Sequence, residues 1–184
     1  MRIGILWRGE RRESTMVGRV ELRQVDEGNL EELLAVAVDD AAPEEVMPPV
    51  SGPPGWTPER QEAFRTWHRA RRPGLDGPLR ETTFAIICEG RTVGSARLAV
   101  RDGRAVLETG MWLARSRRGR GIGTAALRLL LDEASAAGAR VVVADTTSDN
   151  AAALAALRHH GAALVDSRHT ADVHAELRTT RPPA

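Results

Sequence analysis

The sequence contains no lysine and no tyrosine, and all 26 basic residues of the 184-residue chain are arginine. The missing lysine excludes chemistry through a lysine Schiff base. It also excludes a P-loop, whose phosphate-binding turn ends in Gly-Lys followed by Ser or Thr. The missing tyrosine excludes a phenol as a proton donor. Proton transfer in this protein therefore has to use other groups.

Cysteine is almost absent as well, since Cys88 is the single thiol of the chain. One cysteine excludes an intrachain disulfide and any metal site built from several cysteines. Because Cys88 lies in the apolar run Thr82-Thr-Phe-Ala-Ile-Ile-Cys88, we interpret it as an inert buried thiol. We predict no metal site.

Long apolar runs are also missing, because none reaches the 18 residues that a membrane span needs. No signal-peptide core is recognisable, so we expect a cytoplasmic protein without a membrane partner. The net charge of +1 predicts no nucleic-acid partner. The length favours one domain with a full core.

Hydrophobic periodicity predicts the order β-α-α-β-β-β-α-β-α-β-β. Strands are expected at residues 20–25, 82–88, 92–100, 106–113, 140–145, 163–165 and 173–177, and helices at 29–38, 57–71, 124–137 and 150–160. The acidic and then proline-rich segment 39–57 predicts no regular structure. We interpret 1–18 as a flexible leader, with Met1 or Met16 as the start, and 179–184 as a frayed tail.

The turn Arg118-Gly-Arg-Gly-Ile-Gly123 lies between a predicted strand and a predicted helix. Glycines let an anion approach the backbone, and the first N–H groups of a helix carry partial positive charge. The turn therefore predicts a binding site for a phosphate-bearing ligand. The candidate residues are Arg118, Gly119, Arg120, Gly121, Ile122, Gly123 and Thr124.

A dinucleotide-binding fold is the main alternative for this turn. The segment Gly121-Ile-Gly123-Thr-Ala-Ala126 fits a loose G-x-G-x-x-A pattern, and Asp145 follows about 20 residues later. However, such a turn follows its strand almost directly and usually opens its domain. Here the polar segment 115–118 intervenes and about a hundred residues precede it.

The same turn resembles the Arg/Gln-x-x-Gly-x-Gly/Ala pyrophosphate loop of the GNAT N-acetyltransferases, and the order of elements agrees with that family. The resemblance covers roughly residues 19–178, which we predict to be a single N-acetyltransferase domain. It implies acetyl-CoA as cosubstrate, without a metal. It also implies an α/β (α+β) fold, the GNAT fold, with a mixed, mostly antiparallel central sheet of about six to seven strands flanked by about four helices.

The resemblance also implies roles for residues near the thioester. Glu108 becomes the candidate base, although a solvated or cross-strand-paired glutamate explains it equally well. Backbone N–H groups near Trp112 and Leu113 would hold the thioester oxygen. Asn150 would contact pantetheine, with a helix cap as the alternative. Where the family commonly has a tyrosine that protonates the thiolate, this chain has Leu157.

A thiol with a pKa of about 8.5 can leave without a dedicated acid. Weaker candidates for assisting it are Ser148, His159 and His160.

By the same resemblance, the acceptor would lie between the region of the first two helices and the late strand pair. Carboxylates beside aromatic rings suit a cationic small-molecule amine, with an aminoglycoside-type antibiotic as the first hypothesis. A protein N-terminus or another small amine is the second, and a solvated acidic loop with buried tryptophans is the plainer alternative. We also expect a homodimer. The alternative of a different functional class is a non-catalytic module that binds acyl-CoA or a nucleotide. The candidate residues are Asp39, Asp40, Glu44, Glu45, Trp56, Trp67 and His68.

Overall fold

The computed structural model describes residues 18–167 and 170–179. The leader with its two possible starts lies outside these residues, except for residue 18, and the tail lies outside except for residue 179. In the described part, the strands form one sheet in the order β1-β2-β3-β4-β5-β7-β6. They are β1 Val20–Gln24, β2 Glu81–Cys88, β3 Arg91–Asp102, β4 Val106–Leu113, β5 Val141–Thr147, β6 Ala163–Asp166 and β7 Asp172–Arg178.

The α-helices lie on both faces of this sheet. They are α1 Leu30–Asp40, α2 Pro43–Val46, α3 Pro58–Arg69, α4 Ile122–Ala136 and α5 Ala151–His159. Among the described residues, no helix combines the length and apolar character that crossing a membrane requires. The predicted order of strands and longer helices is confirmed, as is the position of β5 inside the sheet.

The short helix α2 corrects the prediction of no regular structure in residues 39–57. Pro43 stands at its first position, where a missing N–H costs nothing. The carboxylate of Glu45 accepts a hydrogen bond from the backbone N–H of Ala42 at 2.9 Å. Together these features stabilise a single helical turn within the proline-rich segment.

Helix α3 begins as its sequence predicts. Thr57 caps it, because its hydroxyl oxygen accepts a hydrogen bond from the N–H of Arg60 at 3.3 Å. Pro58 follows at the first helical position. Helix α4 begins at Ile122, two residues before the predicted start, so its first turn includes the end of the glycine-rich segment.

Alternating side chains divide the sheet into two faces with separate cores. One face packs against α4, through buried residues that include Leu98, Leu107 and Leu130. The other packs against α1 and α3, through a cluster that includes Leu33 and Phe64. We call the second one the α1/α3 face.

The strands β4 and β5 run parallel but pair over three positions only. The last pair is Glu108 with Val143. Beyond it, residues 109–113 pair only with β3, while residues 144–147 pair with β7. The sheet therefore opens between β4 and β5, and both α4 and α5 begin at this end because they follow the carboxyl ends of those strands.

Candidate active site

The glycine-rich turn presents free backbone N–H groups at the start of α4. Gly119 and Gly121 have φ angles of 72° and 77°, a conformation that residues with a side chain rarely adopt. The N–H of Ala125 donates to the carbonyl of Gly121, as the first bond of the helix. The preceding helical N–H groups, those of residues 122–124, have no intrahelical acceptor. They are the groups that the sequence predicts to bind an anion.

Two acidic residues of the predicted acceptor region hold this turn from one side. The carboxylate of Glu45 lies 2.8 Å from Arg115 and 3.4 Å from Arg118. Asp40 accepts a hydrogen bond from the N–H of Ser116 at 2.9 Å. Hydrogen bonds from Ser116 lower the pKa of Asp40, and the bond from the Ala42 N–H is the main cause that lowers the pKa of Glu45.

The rim of the opening on β4 carries one of the two backbone N–H groups that are predicted to hold the thioester oxygen. The N–H of Ala114 donates to the carbonyl of Val93 in β3. Since N–H groups alternate along a strand, the N–H of Leu113 points into the opening and that of Trp112 points toward β3. The carbonyl of Leu113 accepts a hydrogen bond from Nε of Arg118 at 3.0 Å, which ties the turn to the rim.

Glu108 lies where β4 and β5 separate, on the α1/α3 face. Its carboxylate forms ion pairs with Arg97 and Arg101, one guanidinium on each oxygen. Arg97 in turn lies 3.2 Å from Glu81, which also pairs with Arg71 at 2.9 Å. The cross-strand pairing considered for Glu108 is therefore present, and its role as a base stays a prediction.

A cavity of about 430 Å³ lies on the α1/α3 face beside Glu108. It is lined by Glu44, Glu45, Val46, Met47, Pro48, Trp67, Arg71, Glu81, Ser95, Ala96, Arg97, Gly110, Met111 and Trp112. Three of the predicted acceptor residues, Glu44, Glu45 and Trp67, are among them. The guanidinium of Arg71 lies over the Trp67 ring, 3.8 Å from its centroid.

The structure does not bring the other predicted acceptor residues to this cavity. Asp39 is exposed at the end of α1. Trp56 packs edge-on against Phe64, and its indole N–H donates to the carbonyl of Ala41 at 2.9 Å. His68 is buried in the same core.

Helix α5 carries the last group of predicted site residues. Asn150 caps it, since its side-chain oxygen accepts from the N–H of Ala153 at 3.1 Å, while its amide N–H₂ group is still a donor. Leu157 is 4% exposed and belongs to the core between α4 and β7. Nε2 of His160 donates to the carbonyl of Thr124 at 2.8 Å, which joins α5 to the first turn of α4. Ser148 and His159 are exposed.

Sequence reasoning missed a pair of residues on the other rim of the opening. Nδ1 of His174 in β7 lies 2.7 Å from Oδ1 of Asp145 in β5. Both side chains line a second cavity of about 410 Å³. A polar residue at every second position of β7 was the available signal, but only the strand register shows which residue opposes Asp145. In the described ranges, no group of His, Cys, Asp or Glu is arranged to hold a metal ion.

Three solved structures illustrate the similarity of the fold. RimJ of Mycobacterium smegmatis, in complex with a CoA-disulfide, is 23% identical with a TM-score of 0.70, over 91% of this chain and 85% of that one. RimL, a ribosomal L7/L12 α-N-protein acetyltransferase in complex with coenzyme A, is 18% identical with a TM-score of 0.68, over 89% and 96%. The Salmonella typhimurium acetyltransferase that modifies the N-terminal serine of 50S ribosomal protein L7/L12 is 19% identical with a TM-score of 0.66, over 86% and 94%.

These similarities confirm the predicted fold. A search of curated proteins gave no match. A family model described as the acetyltransferase (GNAT) domain matches residues 19–163. The protein described here therefore belongs to the GNAT acetyltransferase family.

Proposed function

We propose that this acetyltransferase moves the acetyl group of acetyl-CoA to a primary amine by direct attack. The observation that carries the proposal is the opening between β4 and β5, with the free N–H groups of α4 at its end. The coenzyme A complexes of RimL and RimJ support the choice of cosubstrate. The pyrophosphate would bind the N–H groups of residues 122–124, with Arg118 and Arg120 adding positive charge. Gly119 and Gly121 keep the approach free of side chains.

The thioester would lie along the rim formed by residues 109–113. The N–H of Leu113 points into the opening, so it is the proposed donor to the carbonyl oxygen as negative charge develops there. The amide N–H₂ group of Asn150 would contact the pantetheine arm. No dedicated acid is needed for the leaving thiolate, since a free thiol has a pKa of about 8.5.

The acceptor must lose a proton before it attacks. For an alkyl ammonium with a pKa of about 10.4, deprotonation at pH 7 costs about 4–5 kcal/mol, whereas an α-amine with a pKa of about 7.8 costs about 1 kcal/mol. Both oxygens of the nearby Glu108 are paired with arginines. We therefore propose Glu108 as a base that acts through water and suits an amine that is already easy to deprotonate.

The N-terminal α-amine of a polypeptide is accordingly the acceptor that we favour. The cavity beside Glu108 carries both signs of charge, with Arg71 and Arg97 next to Glu81, and two indole rings. Such a surface suits the backbone and mixed side chains of a peptide. RimL and the Salmonella typhimurium protein act on a ribosomal protein N-terminus, which supports this choice.

An aminoglycoside-type antibiotic is the second candidate, and it would make the protein a resistance enzyme. Glu44 and Trp67 favour it, because a carboxylate beside an indole ring attracts an ammonium group. Against it, the carboxylates that line the cavity already have arginine partners: Glu44 with Arg60, Glu45 with Arg115, and Glu81 with Arg71.

Release of the coenzyme A thiol should be measured with acetyl-CoA and a panel of amines. The panel contains peptides with a free N-terminus, the same peptides with a blocked N-terminus, aminoglycosides and polyamines. We expect release with free N-termini only. Release with aminoglycosides alone would select the second candidate. Binding of acetyl-CoA without release on any amine would instead indicate a non-catalytic acyl-CoA-binding module.

Replacement of Glu108 by glutamine should lower kcat about 10- to 100-fold, because it removes the carboxylate that orders the proton-accepting water. The KM for acetyl-CoA should stay unchanged. Steady-state thiol release between pH 6 and pH 9 measures both. Glu133→Gln, at an exposed position of α4, is the matched control. A kcat and pH profile equal to those of the wild type would remove Glu108 as a base.

We also propose that the enzyme acts in the cytoplasm, where acetyl-CoA and ribosomal proteins are available, and that it forms a homodimer. Light scattering coupled to size-exclusion chromatography measures the oligomeric state directly. A single peak at the mass of one 19.9 kDa chain would contradict the dimer.

A further inference from the structure

We propose that His174, oriented by Asp145, is the group that finally accepts the proton lost by the acceptor amine. The inference rests on the proposed acetyl transfer and adds a catalytic residue to it. It starts from the 2.7 Å contact between Nδ1 of His174 and Oδ1 of Asp145, which lie directly opposite each other in the β5–β7 ladder.

The topology places this pair at the opening of the sheet. Val143 is the last residue of β5 that pairs with β4, and its partner is Glu108. Asp145 follows two residues later, so it lies on the same face and on the rim. Arg101 connects the two rims, because its guanidinium pairs with Glu108 and lies 3.9 Å from Asp145.

The contacts of His174 leave one ring nitrogen for the reaction. A carboxylate can only accept, so Nδ1 carries a hydrogen and donates it to Asp145. In the neutral ring, Nε2 is then the nitrogen with the free lone pair. Among the described residues, Glu176 on the same strand is the charged partner of Nε2, 3.8 Å away. The ring is 37% exposed, so a substrate or a water molecule can reach it.

The charged groups around the ring are mainly acidic. The second cavity is lined by Asp145, Val165, Asp166, Ser167, Asp172 and His174. Glu176 lies beside the ring on β7, and the guanidinium of Arg101 on β3 lies 3.9 Å from Asp145. Among the described residues, three carboxylates therefore line the cavity and a fourth lies beside the ring, so negative charge predominates around His174.

Glu108 on the opposite rim is less suited to keep the proton. Protonation of its carboxylate would weaken both of its ion pairs, whereas protonation of His174 creates one with Asp145. In the proposed step the amine nitrogen forms a bond to the thioester carbon and the carbon–sulfur bond breaks. The thiolate leaves, and the amine proton passes through water to Nε2 of His174 and then to solvent.

The replacement His174→Gln tests this role. We expect kcat for thiol release to fall about 10- to 100-fold at pH 7. The KM for acetyl-CoA should not change, and the rate should recover as the pH is raised, because the acceptor then deprotonates without help. In His174→Gly, added imidazole should restore part of the rate. Asp145→Asn should reduce kcat by a smaller factor, and Arg178→Gln, exposed on the same strand face, is the control.

Several outcomes would overturn the proposal. One is a His174→Gln variant with wild-type kcat and pH profile. Another is a His174→Gln variant that melts at the wild-type temperature but stays slow at every pH, together with a His174→Gly variant that imidazole does not rescue. That combination indicates a structural role. If the wild type itself releases no thiol with any amine, the proposed function fails. If the wild type turns over and the His174 variant is unaffected, only the inference about His174 fails and the proposed function stands.

Discussion

Replacement of Gly121 by aspartate is expected to weaken binding of acetyl-CoA about 100- to 1000-fold while the protein stays folded. Gly121 immediately precedes the free N–H groups of α4, so a carboxylate there would stand beside the pyrophosphate. Two unit charges about 4 Å apart repel by about 4 kcal/mol near a protein surface. Since about 1.4 kcal/mol changes Kd tenfold, this repulsion accounts for the expected loss.

Gly138 offers a matched control at the other end of the same helix. Its φ angle is 89°, close to the 77° of Gly121, so aspartate meets similar backbone strain at both positions. Helix α4 has 15 residues and is therefore about 22 Å long, which places Gly138→Asp far from the phosphates.

Isothermal titration calorimetry with acetyl-CoA, together with thermal melting of both variants, measures the two effects. Equal affinities of Gly121→Asp and Gly138→Asp would show that the cofactor phosphates do not bind at this turn. Binding of acetyl-CoA to Gly121→Asp should weaken further at low ionic strength, because charge repulsion is less screened there.

The glycine-rich turn at the start of α4 could be predicted from sequence because its geometry is local. The residues that form it are consecutive, from Arg118 to Thr124, and the glycines that shape the turn are visible as letters. The opening of the sheet lies beside this turn. Its limits, at Glu108 and Val143, depend on where the parallel pairing ends, and no periodicity encodes that position.

The contacts of charged side chains were not predictable in the same way. Glu108 was recognised as a candidate, but its partners Arg97 and Arg101 are set by the register of β3 against β4. Asp145 and His174 are 29 residues apart and meet only because β5 and β7 are neighbours in the sheet. Register is fixed by the packing of whole strands, which a reading of single segments does not contain.

The acidic and aromatic residues of the first two helices show a different limit. Residue type alone does not separate core residues from cavity residues, so Trp56 and Trp67 looked alike in sequence. In the fold, Trp56 packs against Phe64 while Trp67 lines the cavity. Asp40 instead contacts the segment that leads into the glycine-rich turn, because its carboxylate accepts a hydrogen bond from the backbone N–H of Ser116.

His68 is expected to make folding strongly dependent on pH below neutrality. Its ring is 1% exposed and lies 4.5 Å from the ring of Phe64 and 4.8 Å from that of Trp67. Burial, and then the charges of Arg71 and Arg72, lower the pKa of His68 from 6.5 to about 3. The ring is therefore neutral in the folded protein, with a contact of 3.0 Å between Nδ1 and the hydroxyl of Thr83.

The sign of the effect follows from proton binding. Between pH 6.5 and pH 3 the unfolded chain binds a proton at His68 and the folded protein does not, so acid favours unfolding. In this window His68 alone lowers the free energy of unfolding by up to about 1.4 kcal/mol for each unit by which the pH falls. The contribution is complete above about pH 6.5 and is lost progressively as the pH falls toward 3.

Urea unfolding of the wild type and of His68→Leu at pH 4 and pH 7 isolates this contribution. At pH 7 the variant should be less stable, because it leaves the buried Thr83 hydroxyl without its partner. When the pH falls from 7 to 4, however, the difference in free energy of unfolding between the two proteins should shift by about 3 kcal/mol in favour of the variant. The variant has no imidazole at this position to protonate in the unfolded state. His159→Gln removes one exposed histidine and is the control. If wild type and His68→Leu lose the same stability between the two pH values, the buried neutral imidazole is not the cause of the acid sensitivity, and other groups such as the arginine-paired carboxylates must supply it.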